Sequence, residues 1–265
     1  DAASGDGGHI ALLSLGHVAA DPSAALLGVA TLTYVPHYLD ILPMYIVVMA
    51  MVPMAMILST LHRLAVPVAS VALWALARHF EWNLPTEAAD PRGWYFDPFC
   101  WQLEFFTGLS VSMGWLKPPM ANRRLLGIAG AFLVAGVALT VPVIFQTVPG
   151  LAGAEHWILD HADKTTVDPL QYLHFLALAY VVVSLMAGRL HLLNGWLARP
   201  IISCGRQSLP VFVVGVILAH LGGAAFDHFG TNASAQILIN TACFSATLAV
   251  GICTLWIKGA TNAKR

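Results

Sequence analysis

Between Asp97 and Lys117 the sequence holds a long apolar run with a single charge inside it, Glu104. A run of that length can cross a bilayer, which takes about 20 apolar residues. A carboxylate two turns deep costs roughly 2.5–3.5 kcal/mol on insertion scales. It therefore belongs on a face turned toward other helices or a wet cavity. Trp101 and Trp115 fall near the two ends, where interfacial aromatic belts form. The stretch reads as a membrane helix with a polar inner face.

The rest of the chain fits that reading. It is 58% hydrophobic and 10% charged, whereas soluble domains carry about 25% charged residues. Lipid-facing surface explains such a deficit. Basic clusters with interleaved aromatics are absent, which argues against a nucleic-acid partner. Cys100, Cys204, Cys243 and Cys253 form no CxxC and lie mostly within or against apolar runs. They read as small packing residues. Asp1 opens the sequence with no initiating Met and no secretory signal, so the chain is expected to be a fragment.

The pattern predicts an all-α fold: a polytopic membrane bundle of about seven transmembrane helices. A short re-entrant or interfacial helix precedes them, from Ser23 to Tyr34, broken by Pro36. The spans are expected at about 39–60, 64–80, 97–117, 125–148, 170–187, 207–226 and 235–257. Residues 1–38 form an extracytoplasmic or interfacial segment, 39–257 the bundle and 258–265 a cytoplasmic tail. Asp40 is placed to cap the first span, Pro43 to sit in its first turn and Pro53 to kink it. The connection Leu61-His62-Arg63 is short enough to make the first two spans antiparallel neighbours.

Charge orients the bundle. With alternating loops, ten of the thirteen Lys and Arg residues fall on the Arg63 side, leaving Arg78, Arg92 and Lys164 on the other. The positive-inside rule makes the Arg63 side, with the C-terminus, cytoplasmic. The acidic residues gather toward the opposite face.

Proton-transfer groups concentrate at the outer ends. Glu104 and His174 lie at similar depth, and a carboxylate can orient an imidazole as a base near neutral pH. They are the candidate catalytic pair; the alternative is a buried Glu–His bond joining two helices. His220 reads as an interhelical donor. Asp40 is either a helix cap or a ligand for a sugar hydroxyl. Trp82, Trp94, Tyr95 and Trp101 are belt residues or a carbohydrate platform. Candidate substrate contacts are Asp40, Tyr45, Trp82, Asn83, Trp101 and Gln102 outside, and Arg206, Gln207 and Ser208 inside. The inner trio is expected at a helix start, whose free N–H groups attract anions, and Arg supplies a bidentate fork. It would suit a phosphate-bearing ligand, or it anchors the helix by charge alone. No HExxH, GxSxG, Walker or GxGxxG pattern occurs in proper context.

Five segments together resemble the OpgC family: Leu39–Tyr45, Trp82–Pro85, Phe99 with Trp101-Gln102-Leu103, His174–Ala177, and Gly205–Phe212. That family comprises bacterial inner-membrane proteins linked to succinylation of osmoregulated periplasmic glucans, akin to wider transmembrane acyltransferases. The likeness spans about residues 22–257. It implies a bundle of about ten spans, an acyl-CoA donor such as succinyl-CoA, no permanently bound cofactor and a periplasmic glycan acceptor. Membrane lipid and glucan-biosynthesis proteins are the implied partners. The family's leading helices, with an Arg-Gly turn and an Asp-His pair, have no counterpart before Leu39.

The expected function is thus O-acylation of a periplasmic glucan. The rival readings are a transporter or flippase for an anionic or lipid-linked substrate, suited by the broken helices at Pro53, Pro142 and Pro210, and a non-catalytic scaffold.

Overall fold

The structure, a computed structural model, describes residues 21–31, 40–85, 93–138, 163–196 and 198–262. The described residues are helical, with no strand among them. They form nine α-helices and one 3-10 turn: α1 (Pro22–Ala30), α2 (Ile41–Ser59), α3 (Ala65–His79), α4 (Pro98–Ser112), α5 (Arg123–Ala138), α6 (Pro169–Met186), the 3-10 turn Leu190–Asn194, α7 (Ala198–Arg206), α8 (Ser208–Phe229) and α9 (Ala233–Asn262). The chain divides into two units, Asp1–Leu185 and Met186–Arg265.

Four of these helices are long and apolar enough to cross a membrane: α2, α6, α8 and α9. Large apolar side chains stand on their surfaces; Ile46, Met54 and Ile57 of α2 are 58%, 70% and 67% exposed. Such surface suits lipid rather than water.

The expectation of seven spans is therefore corrected to four among the described residues, for local reasons. Helix α3 has 15 residues. The 97–117 stretch yields only the 15 residues of α4, about 22 Å of helix against about 30 Å of hydrocarbon. Gly114 takes a left-handed conformation, φ +72°. The N–H groups of Gly114 and Leu116 turn back onto the carbonyls of Val111 and Ser110, which closes the helix in a Schellman-like end. The fourth expected span is described only to Ala138; its remainder, with Pro142, lies outside the described residues. So do Pro36, Leu39 and the front to residue 20.

In the first unit α4 is the central element. Asp97 caps it, its Oδ1 accepting the N–H of Phe99 at 2.9 Å, and Pro98 fills the first helical position, where the missing N–H is no loss. Leu103 and Phe106 are buried. Along α4, Trp101 and Phe105 pack on Met44, Val48 and Trp94; Phe106 packs with Ala55 and Val66; Cys100 packs with Ala77 and Val167. Helices in lipid pair through fit and hydrogen bonds rather than the hydrophobic effect. The shorter helices α3 and α4 are likewise tied by hydrogen bonds. Ser70 Oγ donates to Gln102 Oε1 at 2.6 Å, and Gln102 Nε2 donates to the carbonyls of Ser70 at 2.8 Å and Phe99 at 3.1 Å.

Helix α2 runs through Pro53. Asp40 precedes it with helical backbone, φ −55°, and its side chain makes no capping bond, so the expected cap is corrected. A capping residue normally takes an extended backbone to aim its oxygen at the first turn.

In the second unit, the stretch between the spans expected at 170–187 and 207–226 folds into the 3-10 turn and α7. Cys243, Thr247 and Gly251 follow at four-residue intervals on one face of α9. Cys243 Sγ donates to the carbonyl of Leu218 on α8, and Cys204 Sγ of α7 to that of Thr247. Backbone atoms of Cys204 lie 3.0 Å from where a Cβ on Gly251 would stand. Small residues permit this close approach. Helix α9 extends through Asn262, so Lys258 belongs to it rather than to a tail.

Candidate active site

Three helix ends meet at one end of the first unit: the finish of α3 and the starts of α4 and α6. The turn 163–168 joins them. Its carbonyls accept from both neighbours: Lys164 from Trp101 Nε1 at 2.9 Å, Thr165 from the Asp97 N–H at 3.2 Å and Val167 from Trp74 Nε1 at 3.0 Å. Val167 is fully buried at φ +51°, a strained backbone for a β-branched residue that the surrounding contacts must hold.

Arg78 stands at the centre of this knot. Its guanidinium forms an ion pair with Asp168, donates to Thr166 Oγ1 at 3.1 Å and lies 5.5 Å from the centroid of the Trp74 ring. The other Asp168 oxygen accepts the Asp163 N–H at 2.8 Å. Pro169 and α6 follow directly. Sequence reasoning left Arg78 and Asp168 out of the site. The available signal was that Arg78 is one of only three cations in the cation-poor half, which also holds the acidic residues around Asp168.

Helix α6 then faces two ways. Tyr172 OH and Thr107 Oγ1 of α4 are 2.8 Å apart. Thr107 already donates to the Leu103 carbonyl at 2.7 Å, so the phenol is the donor. Two residues on, roughly 200° around the helix, the His174 ring lies over Gly136 of α5, with Phe132 5.9 Å away centroid to centroid.

The structure thus does not bring Glu104 and His174 into a hydrogen bond or ion pair, because α6 presents one face to α4 and another to α5. Each is half-buried. Neither has a hydrogen-bond partner among the described residues, so both keep their capacity for a ligand. Gln171, between them in the chain, buries an Oε1 that accepts no bond among the described residues.

The other outer candidates divide by engagement. Gln102 and Trp101 hold helices and turn together, as described above. Asn83 bridges the two sides of its loop: Oδ1 accepts the N–H groups of Leu84 at 2.7 Å and Trp94 at 3.3 Å, and Nδ2 donates to the Trp94 carbonyl at 2.9 Å. Gly93 allows this at φ +74°, since a Cβ there would sit 2.8 Å from Asn83 Nδ2. Tyr45 and Trp82 are exposed, and Trp82 stacks on Phe80 at 5.8 Å. Asp97 lies ahead of α4, where burial pushes its carboxyl above the usual range while hydrogen bonds at Cys100 and Phe99 pull it down.

In the second unit, Arg206 is exposed and ends α7. It does not start a helix, and that expectation is corrected. Gln207 forms the joint, and Ser208 is the first residue of α8. Gln207 is buried, and its Oε1 accepts from Lys258 Nζ of α9 at 2.7 Å. A second cation thus stands near the joint.

Apolar grooves lie among the described residues of the first unit. One, of about 320 Å³, lies between α5 and α6, lined by residues such as Ile128, Phe132, Leu173 and Tyr180. Another, of about 350 Å³, lies among α2, α3 and α4 with Gln102 and Ser70 in its wall.

No curated protein and no solved structure matches the chain. The family profile described as OpgC protein (OpgC_C) matches residues 3–259. That match takes in both units and every candidate residue named above, and the chain therefore belongs to the OpgC family.

Proposed function

We propose that the protein is a membrane O-acyltransferase. It moves an acyl group, succinyl by family resemblance, from an acyl-CoA-type donor to hydroxyls of a periplasmic glucan. The family match over residues 3–259 carries this reading, and the four membrane-length helices support it. The cation-rich side faces the cytoplasm of a bacterium across its inner membrane, and the acidic side faces the periplasm.

In this reading His174 takes the proton of the acceptor hydroxyl as its oxygen bonds to the thioester carbonyl carbon. The carbon–sulfur bond then breaks, and the thiolate leaves and takes up a proton. Glu104 and Gln171 accept hydrogen bonds from neighbouring hydroxyls of the glucan, a role that fits acceptors without partners of their own among the described residues. Asp40, Tyr45 and Trp82 contact the glucan; Asn83, Trp101 and Gln102 hold the surface it meets. Arg206, Gln207 and Ser208, with Lys258, receive the phosphates of the donor.

The test is purified protein in lipid nanodiscs, given labelled succinyl-CoA and a periplasmic glucan. Transfer of label is expected. His174→Gln and Glu104→Gln should each lower kcat, by about a hundredfold for the base. Full activity in both variants would remove these residues from the mechanism. No transfer by the unaltered chain, with glucan or carrier moving across vesicles instead, would replace the reading with transport.

A further inference from the structure

We infer that Arg78 is a positioning residue: through Asp168 and Thr166 it sets how α6 leaves the 163–168 turn, and so where Tyr172 and His174 stand. The effect on catalysis rests on the acyl-transfer reading; the effect on α6 does not.

The geometry carries the argument. Arg78 belongs to α3, yet two of its contacts are on the turn that launches α6. The side chain of Asp168 is only 7% exposed and its two oxygens are divided, one to Arg78 and one to the Asp163 N–H. Asp163 in turn accepts the Thr165 N–H at 2.9 Å and the Thr166 hydroxyl at 3.2 Å. The network therefore closes on itself through Arg78. A carboxylate so buried is costly to leave without its cation. The carbonyl of Asp168 accepts the Tyr172 N–H at 2.9 Å, so the first turn of α6 inherits the orientation of this residue. Early in α6, Tyr172 then meets Thr107 of α4 and His174 meets Gly136 of α5. Arg is required rather than Lys, because its planar fork reaches Asp168 and Thr166 at once while lying over Trp74.

Hydrogen exchange and kinetics on the full chain in nanodiscs test this with Arg78→Ala, Arg78→Lys, Asp168→Asn and Thr166→Val. Amides of residues 163–175 should exchange about tenfold faster or more in Arg78→Ala and Asp168→Asn, with α8 and α9 unchanged. Arg78→Lys should fall between. In the transfer assay kcat should drop about tenfold to a hundredfold, with KM for the acyl-CoA donor unchanged. Unchanged exchange in the 163–175 segment, or an equal rise throughout the chain, overturns the inference. So does an unchanged kcat in an active enzyme. If Arg78→Ala does not fold, Arg78→Lys and Thr166→Val decide by the same readouts. If the unaltered protein transfers no acyl group, only the acyl-transfer reading falls, and the exchange result still decides the role of Arg78 toward α6.

Discussion

Ser70 and Gln102 hold each other in a reciprocal pair: the Ser70 hydroxyl donates to Gln102 Oε1 at 2.6 Å, and Gln102 Nε2 donates to the Ser70 carbonyl at 2.8 Å. Both residues are buried. Removing one partner should therefore cost more than removing both. Ser70→Ala, which leaves Gln102 Oε1 bare, is expected to cost about 1–3 kcal/mol. The double variant Ser70→Ala/Gln102→Met should lose less than the sum of the singles. Thermal unfolding in detergent measures the cycle; additive losses would show that the pair is not coupled.

Gly136 gives His174 its place. A Cβ at residue 136 would lie 3.0 Å from His174 Cε1 and 3.1 Å from Nδ1. Gly136→Ala should displace the ring, read as a shift of the His174 imidazole NMR signals. In a His174→Ala background the same change should stabilise the protein by about 0.5–1 kcal/mol, the helix advantage of Ala over Gly. Equal effects in both backgrounds would contradict the contact.

Gly251 lets α7 lie against α9. A Cβ there would meet Cys204 Cα and N at 3.0 Å, besides its sulfur. Gly251→Ala is expected to lower stability by about 1–3 kcal/mol and to speed maleimide labelling of Cys204. Cys204→Ala should not rescue it, since backbone atoms make the clash. Unchanged labelling and melting would disprove the close approach.

Asp97 caps α4 from a buried position, and its carboxyl titrates above the ordinary value of 3.8. A carboxylate with a raised folded pKa binds its proton more tightly in the fold than when unfolded. Stability from this group is present below about 3.8 and lost as pH rises through the raised value. Asp97→Asn keeps an acceptor for the Phe99 N–H without charge, so its stability relative to the unaltered protein should grow between pH 4 and 7, a window set by the raised carboxylate. Asp97→Ala should cost about 1–2 kcal/mol at the lower pH for the lost cap and less at the higher pH, because it too removes the carboxyl that loses stability as pH rises. Melting curves at the two pH values decide; a relative stability of Asp97→Asn that falls with rising pH would reverse the sign.

Much of the architecture was legible in the residues alone. Unbroken apolar runs specify α2, α6, α8 and α9 because helix formation in lipid is local: each backbone bond closes within its own segment. Family membership could likewise be read from five short segments in order. Less legible were helix ends. The stop after Ser112 depends on Gly114 turning left-handed, and α7 lies in the stretch left between two expected spans.

Sequence by itself determined that this chain is helical, lipid-facing and built on the OpgC pattern, since composition and period need no partners to act. Only tertiary structure decided which polar groups are engaged. Gln102, Trp101 and Asn83 resemble ligand contacts in the sequence, yet their hydrogen bonds go to Ser70, Lys164 and Trp94. Glu104 and His174 are expected at similar depth from the sequence but share no hydrogen bond, because Tyr172 and His174, two residues apart on α6, point to different helices. A hydrogen bond requires direction as well as depth, and direction comes from how helices pack.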